Sequence, residues 1–393
     1  GRSCVLVEID GIRALVDCGV SVAAPGSGRI PDFEALANHT KKRKRDGSYA
    51  VETDWGVDVL VITHFHLDHI AALPYFTEVL GYCGPILMTH PTKAVASIIL
   101  RDYIKVSRGP MLYTAAQIDA CLKRVTCLQL HERFSLGDLS ITPYYAGHVL
   151  GAVMVLLECK GRSVLYTGDF TTVPDHHLSA AHLPLSVSPD ILITESTYST
   201  TIRTSKRIKE QELCSKIQET LQSGGKVLIP VFAVGRAQEL CLLLEKHWGR
   251  MKLKYPIYIA RGMVEQALDI FRLFAPWSSE SLRAQDNPFD FPHVLSYNAD
   301  ELVDANFPMV LFAGPAMLNG GQSLDAFRKW APSPQNMVVI PGYCLPGTVG
   351  HEVLAGNKRI EIQDDLEDAE ASQVIHVRCK VEYMTHSDHT DAR

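Results

Sequence analysis

The feature that most limits the possible folds is a repeated pattern of apolar runs that each stop at a short polar loop. After residue 50 the apolar runs read VDVLVI, RSVLY, ILI, KVLIPVFA, PMVLFA and NMVVI, and the loops that follow them read THFHLDH, TGDF, TEST, VGR, GPAM and PGYC. Helical stretches, such as residues 238–248, lie between some of these runs. Strands that alternate with helices predict an α/β fold. Functional loops of such folds gather at the carboxyl ends of strands, where the polar loops of this chain lie.

Length and composition predict a globular chain of two domains. The chain has 393 residues, which is more than one hydrophobic core usually serves. Its ten cysteines include no CxxC pair, which favours free thiols in a reducing compartment over a disulfide scaffold. The net charge of −6 is not that of a generically basic nucleic-acid binder. No apolar run is long enough to span a bilayer, so no membrane partner is expected.

Two local patterns near the amino terminus predict simple structures. Strand-like residues 4–9 and 12–16 flank Asp10-Gly11, which is a strong hairpin signal. Residues 38–49, NHTKKRKRDGSY, are basic and poor in apolar residues. We expect a solvated surface loop there, with a localisation signal or an RNA contact at residues 41–45 as the alternative.

The segment THFHLDH carries the clearest chemical signal. In an extended segment, side chains at positions i and i+2 point the same way, so His64 and His66 can bind one metal ion. The chain then turns, and Asp68 and His69 can face a second ion. Imidazole and carboxylate ligands together suit zinc. The alternative is a polar loop whose histidines cap local structure.

Three isolated residues in other polar segments could complete such a site. His148 lies in YYAGHVLGAVMV, Asp169 in LYTGDF and His389 in MTHSDHTDA. Taken alone, His148 is more typical of a hydrogen-bonded core histidine. Asp169 alone is typical of a turn.

The order of these motifs resembles the metallo-β-lactamase fold: Asp17 in VDCG, then HxHxDH, then His148, then Asp169. Glu195 in LITESTYS, His351 in GTVGH and His389 in SDHTDA resemble the three further motifs of its β-CASP branch, the nucleic-acid-cutting members. Matching stretches, among them GGKVLIPVFAVGRAQEL and GQSLDAFRKWAPSPQNMVVIPGYC, run through almost the whole chain. The resemblance implies an αββα sandwich with an inserted α/β β-CASP domain.

The resemblance also implies the division of the chain into domains. We expect residues 1–199 to form the first part of the metallo-β-lactamase domain. We expect residues 200–345 to form the β-CASP domain, and residues 346–393 to return to the first domain.

The resemblance further implies a ligand set for two Zn²⁺ ions. One ion would be held by His64, His66 and His148, and the other by Asp68, His69 and His389, with Asp169 bridging both. Asp17 would lie behind the ligands and orient His66 or His69 by accepting a ring N–H.

The activity implied by the resemblance is RNA hydrolysis. Two zinc ions would activate a water for attack on a phosphodiester and give a 3′-hydroxyl and a 5′-phosphate. Asp68, Glu195 and His351 would carry catalytic roles. His351 would be the general acid, and Glu195 would hydrogen-bond to it and hold its tautomer. Without the resemblance, Glu195 is typical of a strand-end cap and His351 of a turn residue.

The biological setting implied is a nuclear complex that processes transcripts. The motifs GTVGH, GQSL and VEYM resemble those of the β-CASP nucleases in the Integrator complex, so the resemblance implies snRNA 3′-end processing and cleavage of nascent transcripts. The alternative is the cleavage nuclease of the polyadenylation machinery. Expected partners are single-stranded RNA, a noncatalytic homologous subunit that docks through a region beyond Arg393, and other complex subunits. The nucleus is the expected location, with the cytoplasm as a further possibility.

Positive side chains at two places are candidates for RNA contacts. Residues 199–209, STTIRTSKRIK, carry four cations and no acid, and Gly235 and Arg236 open a predicted helix whose amides could bind an anion. The alternative is the solvated start of a helix. The candidate RNA contacts are Arg203, Lys206, Arg207, Lys209 and Arg236.

Two rival functions stay open at this point. One is a noncatalytic scaffold of the same fold. The presence of all seven expected ligand residues argues against a scaffold. The other is a small-molecule hydrolase such as a thioesterase. Hydrolysis of a small ester requires neither a long inserted domain nor Glu195 and His351. Their presence therefore argues against a small-molecule hydrolase.

Overall fold

A computed structural model gives the structure of the chain. It describes residues 2–21, 24, 26–43, 49–106, 111–202, 205–232, 234–260, 262–287, 289–297, 299–362, 373–384 and 389–391. Contacts divide the chain into two compact units. The first comprises residues 1–199 and 388–390, and the second comprises residues 200–387 and 391–393.

The first unit is built around two five-stranded sheets and a separate hairpin. Its strands are β1 (Val5–Ile9), β2 (Ile12–Val16), β3 (Asn38–Arg43), β4 (Tyr49–Asp54), β5 (Val59–Val61), β6 (Ile86–Thr89), β7 (Val125–Leu128), β8 (Phe134–Leu136), β9 (Leu139–Tyr145), β10 (Val153–Cys159), β11 (Arg162–Tyr166) and β12 (Ile191–Ile193). Its α-helices are α1 (Leu67–Ile70), α2 (His90–Val106) and α3 (Ala115–Lys123). Short 3₁₀ turns at Gly26–Arg29 and Phe33–Leu36 and a π turn at Tyr75–Val79 complete it.

The two large sheets stack face to face on an apolar core. One sheet has the order β1-β2-β5-β6-β7 and the other has the order β12-β11-β10-β9-β8. Val16 and Val61 of the first sheet and Val155 and Tyr166 of the second belong to one buried cluster between them. The opposite face of the first sheet packs its own cluster against α1, α2 and α3. This arrangement confirms the predicted sandwich of sheets and helices.

The second unit is an α/β layer structure around a mostly parallel sheet. Its strands are β13 (Val227–Pro230), β14 (Ile257–Ala260), β15 (Val294–Tyr297), β16 (Val310–Ala313), β17 (Met337–Ile340), β18 (Arg359–Ile362), β19 (Gln373–His376) and β20 (Lys380–Tyr383). Its helices are α4 (Lys206–Gln222), α5 (Arg236–Met251), α6 (Met263–Leu273), α7 (Glu280–Arg283), α8 (Ala299–Leu302), α9 (Gly321–Trp330) and α10 (Val349–Leu354), with a 3₁₀ turn at Ala275–Trp277. The six-stranded sheet has the order β15-β14-β16-β13-β17-β20, and β18 pairs with β19. The strands of the six-stranded sheet pair in parallel throughout.

Two of the local secondary-structure predictions are confirmed, and one is wrong. The hairpin around Asp10-Gly11 is confirmed: β1 and β2 pair in full register, and both turn residues have positive φ. The helix predicted at 238–248 is confirmed inside α5. The prediction of a surface loop at 38–49 is wrong for the residues of this range that the structure describes. Residues 38–43 and 49–54 pair as antiparallel β3 and β4, because backbone pairing needs no apolar side chains, and 44–48 lie outside the described residues.

The division of the chain differs from the predicted one at its carboxyl end. The first unit ends at residue 199, and residues 346–387 lie in the second unit, whereas the expected domains return them to the first. The physical reason is that β20 pairs in parallel with β17 and extends the second sheet, and that Val353 of α10 packs into the core of that unit. Only the segment 388–390 returns to the first unit.

None of the described helices is both long enough and apolar enough to cross a membrane.

Candidate metal centre

The predicted ligands lie where strands of the first unit end. Buried β5 stops at Val61, and the chain continues through His64 and His66 into α1, which holds Asp68 and His69. Strands β2 and β11 end just before Asp17 and Asp169 in the same way. Gly168 has a φ of +53°, and a Cβ there would lie 2.9 Å from Thr63 Oγ1. A side chain would therefore push the Asp169 turn away from the histidine segment.

Three histidine rings converge at distances typical of metal ligands. His66 Nδ1 lies 3.2 Å from His64 Nε2 and 3.1 Å from His148 Nε2. Two nitrogens bound tetrahedrally to one zinc lie about 3.3 Å apart, since each Zn–N bond is about 2.0 Å. His148 is buried and hydrogen-bonded, as a core histidine would be, and its ring also faces two other imidazoles. Together with Asp169, these rings form one group able to hold a metal ion.

The protonation of these rings fits a metal ion between them. His64 Nδ1 donates to Thr63 Oγ1 at 3.0 Å, because that hydroxyl gives its own proton to Asp17. His64 Nε2 therefore presents a lone pair to its neighbours. Burial lowers the pKa of His64 well below its usual value, and nearby His69 and His148 lower it further. Burial and His148 also lower the pKa of His66 to about 3, so these imidazoles are neutral at pH 7, the form in which histidine can bind a metal ion.

Asp169 places one carboxylate oxygen among four histidines. Its Oδ2 lies 3.7 Å from His64 Nε2 and 3.6 Å from His148 Nε2. The same oxygen lies 3.4 Å from His69 Nε2 and 3.9 Å from His389 Nε2. Burial raises the pKa of Asp169, but the hydrogen bond with His69 and the electrostatic effect of His64, His69 and His148 together outweigh burial and hold this pKa well below its usual range. The carboxylate is therefore ionised, and its Oδ2 faces the ring nitrogens of four histidines.

Asp17 forms hydrogen bonds with His69 and with two residues next to the candidate ligands. Its fully buried carboxylate accepts from Thr63 N–H at 2.8 Å, from Tyr166 O–H at 3.2 Å and from His69 Nδ1 at 2.7 Å. A carboxylate only accepts, so His69 Nδ1 carries a proton and donates it to Asp17, and His69 Nε2 faces Asp169. Burial opposes a charge on His69, but Asp17 and Asp169 outweigh it and raise its pKa well above the usual value. Asp17 therefore contacts His69. The sequence analysis gave His66 and His69 as its two possible partners.

Glu195 contacts a different histidine from the one expected. Its Oε2 lies 2.6 Å from His389 Nδ1, and its Oε1 accepts from the Phe170 N–H at 2.9 Å. The expected hydrogen bond was to His351, whereas both described contacts of the Glu195 carboxylate are within the first unit. Glu195, Asp169 and His389 form a second group able to hold a metal ion. Sequence reasoning had not included Glu195 among the metal donors.

Two predicted catalytic residues lie in short helices. Asp68 is in α1, and its charge raises the His66 pKa against burial, which places it close to that ring. His351 is in the first turn of α10 in the second unit, where its N–H donates to Thr348 Oγ1 at 3.2 Å. Its side chain is half-buried.

Of the predicted RNA contacts, two make ion pairs within the second unit. Lys206 and Arg236 both pair with Glu239, which is 2% exposed, so they offset a buried charge. Arg207 is exposed and Lys209 is half-buried, at the start of α4. Arg203 lies outside the described residues. Lys206 begins α4, which agrees with the alternative of a helix start.

Sequence reasoning missed Thr63 and Tyr166, which hold Asp17. Both residues directly precede a recognised motif, Thr63 before HFHLDH and Tyr166 before TGDF. A polar residue at the last position before a ligand segment is the signal that could have identified them.

Comparison with known proteins agrees with this geometry. Residues 1–199 match the metallo-beta-lactamase superfamily, and residues 237–353 match the Beta-Casp domain. The whole chain is 46% identical to Integrator complex subunit 11 of Gallus gallus and covers 64% of it, with the same values for the Danio rerio protein. It is also 42% identical to cleavage and polyadenylation specificity factor subunit 3-II of Arabidopsis thaliana, covering 62% of that protein.

The chain thus spans under two thirds of the length of these relatives. The superfamily match includes His64, His69, His148 and Asp169, and His389 lies beyond it. The chain belongs to the metallo-beta-lactamase superfamily and carries a Beta-Casp domain.

Proposed function

We propose that this chain is the nuclease core of a zinc-dependent RNA endonuclease that acts on nuclear transcripts. The main support is the convergence of four histidine rings on one carboxylate oxygen of Asp169. Relatives named for Integrator and for cleavage and polyadenylation supply the substrate class. The noncatalytic scaffold is disfavoured because every expected ligand position is filled.

His64, His66, His148 and Asp169 would hold one zinc ion, and Asp68, His69 and His389 would hold another that shares Asp169. Zinc at such a site lowers the pKa of bound water and stabilises negative charge on phosphoryl oxygens. Asp17 fixes the tautomer of His69, and Glu195 fixes that of His389. Both rings thereby direct Nε2 toward Asp169.

The reaction is hydrolysis of a phosphodiester. The oxygen of water bonds to phosphorus, the bond from phosphorus to the 3′ oxygen breaks, and that oxygen takes a proton. We assign the proton donor to His351. The products are a 3′-hydroxyl and a 5′-phosphate, and no redox partner is needed.

Within this class we favour the Integrator setting, with snRNA 3′-end processing and nascent-transcript cleavage as the reactions. The chain is 46% identical to the Gallus gallus Integrator subunit and 35% identical to the cleavage and polyadenylation specificity factor 73 of Drosophila melanogaster. The nucleus and association with further complex subunits follow from that setting. Pre-mRNA 3′-end cleavage is the second candidate.

The test pairs zinc content with RNA cleavage in three variants. We expect wild type to bind about two zinc ions, His148→Ala to lose zinc and cleavage together, and His351→Ala to keep zinc while cleavage falls about 100-fold or more. His376→Ala is the matched control, since His376 is an exposed histidine at the end of β19. Loss of zinc from His351→Ala would move His351 into the ligand set. Full zinc content and cleavage in His148→Ala would overturn the proposed centre.

A further inference from the structure

The carboxyl edge of the parallel sheet in the second unit has a point where the chain connections leave in opposite directions. Strands β13 and β17 are parallel neighbours there. From β13 the chain proceeds to β14 and β15 on one side, whereas β17 and β20 lie on the other. Helices α9 and α10 contribute to the core cluster on the Leu228 face of the sheet, and α5 contributes no residue to it. The connections after β13 and β17 therefore diverge, and ligands of doubly wound folds bind where connections diverge in this way.

Two exposed aromatic residues follow the two neighbouring strands at this point of the edge. Phe232 follows β13 and is 50% exposed, and Tyr343 follows β17 and is 65% exposed. Tyr383, the last residue of β20, adds a third ring that is 48% exposed on the next strand. Large aromatic side chains are usually buried, so exposed rings after adjacent strands indicate a binding surface.

The same edge carries positive charge. Lys206 and Arg236 face the single carboxylate of Glu239, so this group of three has a net charge of +1 at the start of α5. Helices α5 and α9 both begin after strands of this edge with a glycine N-cap that provides no capping side chain. Their first amides and helix dipoles favour an anion. Aromatic rings beside positive charge are the combination that binds single-stranded nucleic acid.

We propose that Phe232 and Tyr343 stack on unpaired bases of single-stranded RNA, with the start of α5 and Arg236 attracting the adjoining phosphates. The site deepens the proposed function, on which it rests, because it assigns substrate-binding residues in the second unit. Stacking tolerates any base, so this site contributes affinity for unpaired RNA and little sequence preference.

The experiment measures binding of a labelled single-stranded RNA with phosphorothioate linkages to the full chain. Phe232→Ala and Tyr343→Ala should each weaken binding by roughly 5- to 100-fold, the range for loss of one stacked base. Phe232→Tyr and Tyr343→Phe should bind like wild type, and Phe232→Leu should not, since leucine is apolar but cannot stack. The control is Phe307→Ala, because Phe307 is 42% exposed but precedes β16.

A second probe separates base contacts from phosphate contacts. A sugar-phosphate chain of equal length without bases should bind wild type and Phe232→Ala equally. Equal RNA binding by wild type and both alanine variants would overturn the inference, assign these rings to a protein contact and leave the proposed function standing. Wild type that neither binds nor cleaves RNA would overturn the proposed function, and this inference with it.

Discussion

Asp17 has no exposed surface, yet its carboxylate holds Thr63, Tyr166 and His69 together. We expect Asp17→Asn to reduce zinc affinity by about 10- to 100-fold, as loss of a hydrogen-bond partner behind a metal ligand usually does. The φ of +63° at this position is tolerated by asparagine, so the backbone should keep its conformation. Competition with a chromogenic chelator measures the affinity.

The matched control for Asp17→Asn is Asp190→Asn. Asp190 is an acid of the same unit that accepts from Ser163 on the surface. Its replacement should leave zinc affinity unchanged. Equal zinc affinity in wild type and Asp17→Asn would show that the carboxylate does not orient His69.

The environment of His247 leads us to expect that folding stability depends on pH independently of the metal centre. Its Nε2 donates to Gln218 Oε1, and its Nδ1 accepts from Arg250. Burial lowers the His247 pKa, and Arg250 lowers it further. As pH falls below about 6.5, the unfolded chain binds this proton before the folded chain does, so folding stability is lost.

His247→Gln should remove this part of the pH dependence, because glutamine does not titrate. Urea unfolding at several pH values between 7.5 and 5 measures it. His376→Gln, at an exposed strand position, should keep the wild-type profile. A His247→Gln profile identical to wild type would contradict the assignment.

Residue types were the most predictable part of the site, and their pairings were the least. His64, His66 and His148 follow from ligand chemistry and their family resemblance, and the rings converge in the structure. The contact of Glu195 with His389 joins residues 194 positions apart. No local pattern fixes which of two histidines a distant carboxylate meets, since that depends on how strands stack.

The segment after β2 and helix α1 approach each other closely at Gly19. A Cβ on Gly19 would lie 1.7 Å from the carbonyl oxygen of Asp68 and 2.8 Å from the His69 nitrogen. Both are backbone atoms of the helix that carries two expected ligands. We expect Gly19→Ala to destabilise the protein by about 1–3 kcal/mol or more and to lower zinc content, because α1 must shift.

Gly249→Ala provides the comparison for Gly19→Ala. Gly249 lies in α5, and a Cβ there would meet no atom within 4 Å. Alanine should therefore stabilise that helix by roughly 0.5–1 kcal/mol. Chemical unfolding with parallel zinc analysis tests both variants. Wild-type zinc content in Gly19→Ala would mean that α1 does not transmit the clash to its ligands.

Strands within continuous apolar runs were predictable, and strands with polar sequences were not. The apolar runs that became β5, β11, β13, β16 and β17 are buried, so hydrophobicity alone marks them. Strand β3 has the sequence NHTKKR, and β20 is four residues long. Their partners β4 and β17 supply the pairing, which composition does not encode. Sheet membership of β20 in turn decides where the second unit ends.

Thiol exposure tests the packing of the whole molecule. Of the ten cysteines, Cys83 alone is exposed, Cys4 and Cys127 are half-buried, and the other seven are buried. Burial raises the pKa of Cys344 and of Cys379 to about 11, so both remain protonated and unreactive at pH 8. We expect a thiol reagent to label one cysteine per folded chain quickly and all ten after denaturation.

Cys83→Ser should abolish the fast phase of labelling. Several fast thiols in the folded protein would contradict the packing of both cores. The same measurement on the zinc-free protein would show whether loss of metal loosens the first unit, to which Cys18 and Cys121 belong.

Residues 388–390 pack with the first unit, although they are synthesised after nearly all of the second unit. His389 follows Glu195 by 194 positions, and Thr390 is held by the carbonyl of Phe170. At a synthesis rate of about 5–20 residues per second, His389 emerges roughly 10–40 s after the other ligands are made. During that interval the nascent chain holds three histidines around Asp169 but lacks the last one. A premature stop anywhere in the second unit therefore releases a chain that lacks His389 and its contact with Glu195.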